Sequence, residues 1–224
     1  MTALLDSDKL TSATAVYGKI RRDILTGEIA AGQKLLIDKM AQRYECGTNP
    51  VREALNRLSA ERLVDRREQR GFYVPPLSLE SLRELVRTRC WLEGRALEES
   101  IANRTPAWEE GIIVTHYRLA RTPIHLAEDG GDNREWEGHH RAFHDALIAN
   151  CGSTWLLAFC HEMMDQAVRY RFASMSTCYP RRDAEGEHTA IMEAALDGDA
   201  PNAVRLLSEQ YMLTLARLEE HAWS

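Results

Sequence analysis

His140 and His144 stand four residues apart in the run His140-Arg141-Ala142-Phe143-His144. On a helix that spacing puts two imidazoles on one face, where both can reach a single divalent ion. Phe143 and Leu147 share or border that face, which turns it toward an apolar interior. His188 follows Glu187 near the start of a later helical stretch, and Gln210 lies 22 residues beyond it. Spacing alone leaves two readings open, a pair of metal ligands or histidines hydrogen-bonded inside a core. Zinc-protease chemistry lacks its base, because Arg141 stands where His-Glu-x-x-His needs glutamate. No Ser-His-Asp or Cys-His constellation can be argued from spacing.

A second group of residues is suited to reading DNA. Residues 47–58, Gly-Thr-Asn-Pro-Val-Arg-Glu-Ala-Leu-Asn-Arg-Leu, place Val51, Ala54, Leu55 and Leu58 at helical spacing in one apolar stripe. Pro50 suits the first turn, where the amide it lacks has no partner to lose. Thr48 or Asn49 is expected to cap the helix. Arg52 and Arg57 point away from the stripe, with Asn49 at the exposed N-terminal end. In a helix-turn-helix the N-terminal residues of the second helix reach base edges while the preceding helix crosses the backbone. An ordinary amphipathic surface helix has the same pattern, so the flanking elements decide.

Those flanks supply the rest of such a module. Ala15–Leu25 is amphipathic through Val16, Ile20, Ile24 and Leu25, and Gly27 stops it. Gly32–Leu36 reads as a short extended turn, Asp38–Tyr44 as a two-turn helix with Met40 and Ala41 inward, and Glu45-Cys46-Gly47 as the tight turn. Leu63-Val64 ends the recognition helix. Asp65–Val74 alternates around Gln69-Arg70-Gly71 as a two-stranded wing. Three helices, a tight turn and a basic hairpin predict a winged helix-turn-helix over residues 10–75. Residues 1–76 hold 13 basic against 10 acidic residues, and the remainder 15 against 24. A basic first third on an acidic remainder places phosphate contact in the first part.

Pro75-Pro76 forbids a helix directly through it and marks residues 76–78 as a linker. From residue 79 to 222 the pattern is helical, near Leu79–Asn103, Pro106–Glu128, Asn133–Asn150, Thr154–Ser174, Arg181–Leu196 and Pro201–Ala222. Punctuation at Thr105-Pro106, Gly130-Gly131, Cys151-Gly152-Ser153, Tyr179-Pro180 and Asp197-Gly198-Asp199 separates them. Six helices without strand signals predict an antiparallel bundle whose centre can hold a ligand or metal. The chain is expected to be mainly α. Trp91, Trp155, Phe159, Met163 and Met164 are expected in its core, and at most one of Arg169 and Arg171 in its cavity. No apolar run of about 18 residues and no signal-peptide pattern is present. Five scattered cysteines form no Cys-x-x-Cys pair. A reduced, cytoplasmic protein without a membrane span is expected.

The N-terminal module resembles the GntR family of bacterial transcriptional regulators. The resemblance rests on Ala15-Val16-Tyr17 through Ile24-Leu25-Thr26-Gly27-Glu28-Ile29, Gly32-Gln33-Lys34-Leu35, Met40-Ala41, Pro50-Val51-Arg52-Glu53-Ala54-Leu55, Leu58, Leu63-Val64 and Arg70-Gly71-Phe72. It implies DNA contacts by Thr48, Asn49, Arg52, Arg57, Arg70 and Gly71, and a homodimer on a palindromic operator in double-stranded DNA. The family pattern Ser-Arg-Thr before Pro-Val-Arg is Gly47-Thr48-Asn49 here, so Thr48 replaces an arginine commonly used on DNA. The usual operator core therefore does not carry over.

Residues 79–218 resemble the FCD ligand domain of the FadR-type subfamily. The carrying residues are Arg89-x-x-Leu92-Glu93, Phe143-His144-x-x-Leu147, Glu187-His188-x-x-Ile191 and Ala194-Ala195-Leu196-Asp197-Gly198-Asp199 with Ala203. Six helices place it nearer the VanR-like branch. The resemblance implies a metal held at four positions, here His140 (aspartate in the pattern), His144, His188 and Gln210 (histidine in the pattern). Three imidazoles suit Zn²⁺, Ni²⁺ or a related divalent ion and leave positions open for water or an anion. Gln210 offers a weak amide ligand or an outer contact. Replacing the carboxylate by a neutral ligand leaves the ion more positive and favours an anionic effector, by resemblance an organic acid, a sugar acid or an aromatic-catabolism intermediate. Arg89 corresponds to a family arginine that faces the ligand cavity, and its guanidinium suits a carboxylate. A buried pair with Glu93 or a solvent-facing position are its other readings. The expected function is a ligand-responsive regulator, a repressor of catabolic genes, rather than an enzyme. A metal-dependent hydrolase and a DNA-bound regulator without a ligand are the alternatives.

Overall fold

The computed structural model describes residues 12–124, 133–178 and 183–221. Contacts divide the chain between Leu77 and Ser78 into two units. The expected breaks at Gly130-Gly131 and Tyr179-Pro180, and the helix ends placed at Glu128, Arg181 and Ala222, lie outside the described residues.

The first unit holds α1 (Ser12–Leu25), β1 (Lys34–Leu35), α2 (Ile37–Arg43), α3 (Thr48–Ala60), β2 (Asp65–Arg67) and β3 (Gly71–Tyr73). Its core is Val16, Ile20 and Ile24 of α1 against Val51, Leu55 and Leu58 of α3, all at most 4% exposed. Asp23, itself buried, ties α1 to α2 by accepting from the Tyr44 hydroxyl at 2.7 Å and Arg43 Nη2 at 2.8 Å.

The wing differs from expectation. It has three strands in the order β1-β3-β2, because Lys34 pairs with Tyr73 and Leu35 with Phe72 on the free edge of β3. A two-residue strand is too short to show alternation, and only its hydrogen-bond partners reveal it. The hairpin turns through Gln69 at φ 56° into Gly71 at φ 90°, a left-handed conformation that suits glycine. The cap of α3 also differs. Gly47 is the capping residue, with no side-chain cap bond, and Thr48 and Asn49 lie inside the first turn, exposed.

The second unit is all helical in its described residues: α4 (Leu79–Ala102), α5 (Pro106–Ala120), α6 (Arg134–Ile148), α7 (Thr154–Cys178), α8 (Ala184–Leu196) and α9 (Ala200–His221). Helix α5 stops at Ala120, short of the expected Glu128, with Pro123 just beyond. α4 and α9 run antiparallel, with Arg83 bonded to Glu219 near one end and Gly94 facing Val204 near the other. A Cβ on Gly94 would lie 3.1 Å from Val204 Cγ1, so glycine permits that approach.

Side-chain caps start the helices that matter most for the site. Asn133 Oδ1 accepts from the amides of Glu135 and Trp136, and Nδ2 donates to the Pro123 carbonyl at 2.7 Å. Asp183 accepts from the Gly186 amide at 2.9 Å. Asn133→Ala should cost about 0.5–2 kcal/mol, the range for losing a polar cap. Thermal unfolding checks it, and an unchanged Tm would show that the cap does not hold α6.

The expected core aromatics are corrected in part. Met164 is buried at 3%, but Trp91 is 65%, Trp155 78% and Phe159 50% exposed. They lie on the outer faces of α4 and α7. Hydrophobicity read without a face assignment had placed them inside.

Candidate functional site

Helix α6 carries His140 and His144 inward because Trp136, Phe143 and Leu147, all at most 3% exposed, set the buried face on which they also fall. α8 brings His188 to the same point, one turn after its cap at Asp183. All three imidazoles are buried, and one ligand nitrogen from each lies within 4.8 Å of the others. The ring centroids of His140 are 4.6 Å from His144 and 5.1 Å from His188.

The cluster fits a divalent ion by its donors. His140 Nδ1 is buried without a hydrogen bond, 4.0 Å from Glu137 Oε1. Burial first, then Arg171 and the neighbouring imidazoles, holds His140 well below the usual histidine pKa, which keeps it neutral and able to donate a lone pair. His188 Nδ1 meets the Ala184 carbonyl at 2.5 Å. A carbonyl only accepts, so Nδ1 carries the proton and Nε2 keeps its lone pair.

Charged groups surround this centre in pairs. Glu93, 1% exposed, takes Arg89 Nε at 2.6 Å and Nη2 at 3.1 Å. Glu137 takes Arg171 Nε at 2.9 Å and Nη2 at 2.5 Å. Burial alone would pull the Arg89 guanidinium down, but the Glu93 carboxylate overrides it and holds the pKa above its ordinary value. Arg89 Cζ also lies 3.9 Å from the Tyr211 ring centroid. Tyr211 OH is 2.5 Å from Glu93 Oε2 and 3.2 Å from His144 Nδ1. Burial first, with Glu93 beside it, pushes the Tyr211 hydroxyl well above the usual phenol.

A cavity of about 40 Å³ touches Arg89, Trp136, His140, Arg171, His188 and Gln210. A larger one of about 440 Å³ shares Trp136, Ala184 and His188 with it and adds His116, Arg121 and Glu185. Arg89, His140, His188 and Gln210 line the smaller cavity, and His144 joins them through the imidazole cluster, beside Tyr211. Gln210 is buried at 5% and lines the cavity. Arg89 lines it too, but its Nε and Nη2 are already held by Glu93. Of the α7 arginines, Arg171 joins the cavity and Arg169 bonds Gln166. Sequence reasoning missed Glu137, Tyr211 and the Arg171–Glu137 pair. The only sequence signal was the register, with Glu137 one turn before His140 and Tyr211 beside Gln210.

In the first unit a groove lies between α3 and the wing, lined by Lys34, Arg52, Asn56, Arg66, Arg67 and Arg70 among others. The arginines of α3 are not equivalent. Arg57 Cζ stacks 3.8 Å over the Tyr17 ring, and its Nε is 3.6 Å from Glu61. Arg52 is exposed and faces the groove. Arg67 stacks on Tyr73 at 4.4 Å. Thr48, Asn49 and Arg70 are exposed, and Gly71 starts β3 on the groove wall. Asn56 and Arg66 were not foreseen, although Asn56 lies four residues after Arg52 on the same helix.

Comparisons with known proteins agree with this division. The model of bacterial regulatory proteins of the gntR family matches residues 12–74, and the FCD domain model matches residues 84–211. The uncharacterized HTH-type transcriptional regulator BphR of Paraburkholderia xenovorans (strain LB400) is 38% identical over 200 residues, 86% of this chain and 79% of that protein. The HTH-type transcriptional repressor GlaR of Escherichia coli (strain K12) is 31% identical over 204 residues, 88% of this chain and 91% of that one. In fold the chain is similar to McbR/YncC of E. coli, with a TM-score of 0.77 over 94% of this chain and 98% of that one, at 19% identity.

Proposed function

This chain belongs to the GntR family of bacterial regulatory proteins and carries an FCD domain, and from that membership we propose that it is a ligand-responsive repressor. It binds a palindromic operator as a homodimer and is released by a small anionic metabolite held near a metal in the helical unit. It is a transcriptional regulator and not an enzyme, in line with its family and relatives. The hydrolase reading is set aside on that ground. Its place of action is the cytoplasm, where operator DNA lies. No helix among the described residues is long and apolar enough to cross a membrane.

The observation that carries DNA reading is the groove beside α3, with Arg52 exposed in it and three further arginines along the wing side. Lysine and arginine there neutralise phosphates, while Thr48, Asn49 and Arg52 meet base edges. Arg52→Ala should weaken operator binding by about 1–3 kcal/mol and relax one position of the site. Arg57→Ala should act chiefly on the stability of the first unit, because Arg57 is held by Tyr17 and Glu61. Footprinting and salt-dependent binding test the first, and thermal unfolding tests the second. An Arg52 variant with unchanged site and affinity overturns the assignment.

A divalent ion, zinc or nickel by its ligands, is held by His140, His144 and His188, with Gln210 beside them. Bound there, it supplies a positive centre whose open positions take water or an anion. Arg89 offers an anion its remaining Nη1 edge. The exposed Trp91, Trp155 and Phe159 support a second copy covering that outer surface. Replacing Trp155 and Phe159 together by glutamate should give a monomer in light scattering, and an unchanged dimer would place the interface elsewhere.

A further inference from the structure

We propose that Tyr211 is the positioning residue that sets the tautomer of His144, so that Nε2 of His144 is the nitrogen offered to a metal. This rests on the metal reading above and adds a residue to it. A carboxylate held at two points by arginine can only accept hydrogen bonds. Glu93 Oε1 takes Arg89 Nε, and Oε2 takes Arg89 Nη2 together with Tyr211 OH at 2.5 Å. The one hydroxyl proton of Tyr211 therefore points at Glu93. What remains toward His144 Nδ1, 3.2 Å away, is an oxygen lone pair. A neutral imidazole meets a lone pair only with an N–H, so the His144 proton sits on Nδ1.

The chain Arg89–Glu93–Tyr211–His144 thus has a fixed direction, and it leaves Nε2 as a donor atom. His188 reaches the same tautomer by a different route, through the Ala184 carbonyl. Two of the three histidines are preset by groups outside the cluster, on α4, α8 and α9. A ligand whose other nitrogen is fixed by hydrogen bonding binds metal better, and deleting such a partner typically costs about 10- to 100-fold in affinity. All members of the chain are buried, with Tyr211 at 4% and His144 at 3%, so water does not substitute freely.

The test uses the full chain. In metal-free protein, nitrogen-15 shifts of His144, assigned with His144→Ala, should report a proton on Nδ1. In Tyr211→Phe, which removes only the hydroxyl, the signal should move toward the Nε2–H form. A zinc competition titration should show the variant binding about 10- to 100-fold more weakly. Thermal unfolding of the metal-free variant reports packing separately from affinity. A proton on Nε2 in the parent protein, or zinc binding by Tyr211→Phe equal to the parent, overturns the proposal. If the parent holds His144 as stated but binds neither zinc nor nickel, the metal reading fails and the positioning role falls with it.

Discussion

Replacing His140 and His144 together by alanine should leave a protein that retains no metal and no longer gains stability from one. The two residues lie on the buried face of α6, and both cluster with His188. An ion that binds the folded state alone stabilises it by about 2.7 kcal/mol at a hundredfold excess over Kd and about 4.1 kcal/mol at a thousandfold excess. In a protein of this length each kcal/mol moves the midpoint by roughly 2–4 °C, so added zinc should raise the parent's Tm by several degrees or more. The double variant should show no zinc-dependent rise. Comparing each protein with and without zinc removes the packing loss from the comparison, since that loss is present in both samples. Metal analysis of protein prepared without chelators checks occupancy directly. A parent that carries no ion, and whose Tm ignores zinc, would leave three core histidines held by hydrogen bonds.

How much of this centre could be seen beforehand depends on whether its members lie within one helix. His140 and His144 are legible because i and i+4 share a face whatever the tertiary arrangement. His188 is 44 residues from His144, and no local rule brings α8 to α6. Only the family resemblance placed it. The i,i+4 pair of Arg89 and Glu93 was also within reach of helix geometry. Glu137 with Arg171, and Tyr211 with Glu93, join residues 34 and 118 apart and needed the packed bundle. The same limit explains the wing. β2 and β3 are adjacent in sequence and read as a hairpin, while the β1 residues Lys34 and Leu35 pair with Tyr73 and Phe72 far along the chain and do not. Trp91, Trp155 and Phe159 failed for a different reason. Composition says that such side chains prefer burial, but not which face of a helix carries them.

Arg89→Ala should destabilise the second unit by about 3–5 kcal/mol, because it leaves the Glu93 carboxylate buried without its cation. Loss of effector response in that variant would therefore say nothing about an anion. Replacing the pair, Arg89→Met with Glu93→Leu, removes both charges and keeps apolar volume, a change that is often neutral or stabilising. That double variant separates the roles. Its stability and operator affinity should stay near the parent's. If Arg89 meets the effector, release of an operator complex by a panel of small carboxylates should disappear even at zinc concentrations that fill the variant's site. A second consequence follows from the direction of the hydrogen-bond chain. With Glu93 gone, the Tyr211 hydroxyl has no acceptor on α4 and turns its proton to His144 Nδ1. That drives the imidazole proton to Nε2 and weakens metal binding, although neither substitution touches a ligand. Adding Tyr211→Phe to the double variant should then restore part of the zinc affinity, since it removes the hydroxyl that blocks Nδ1–H. If zinc affinity in the Arg89–Glu93 variant equals the parent's, the chain does not carry that direction. If carboxylates still release its operator complex, the anion is held by the metal or by Arg171 rather than by Arg89.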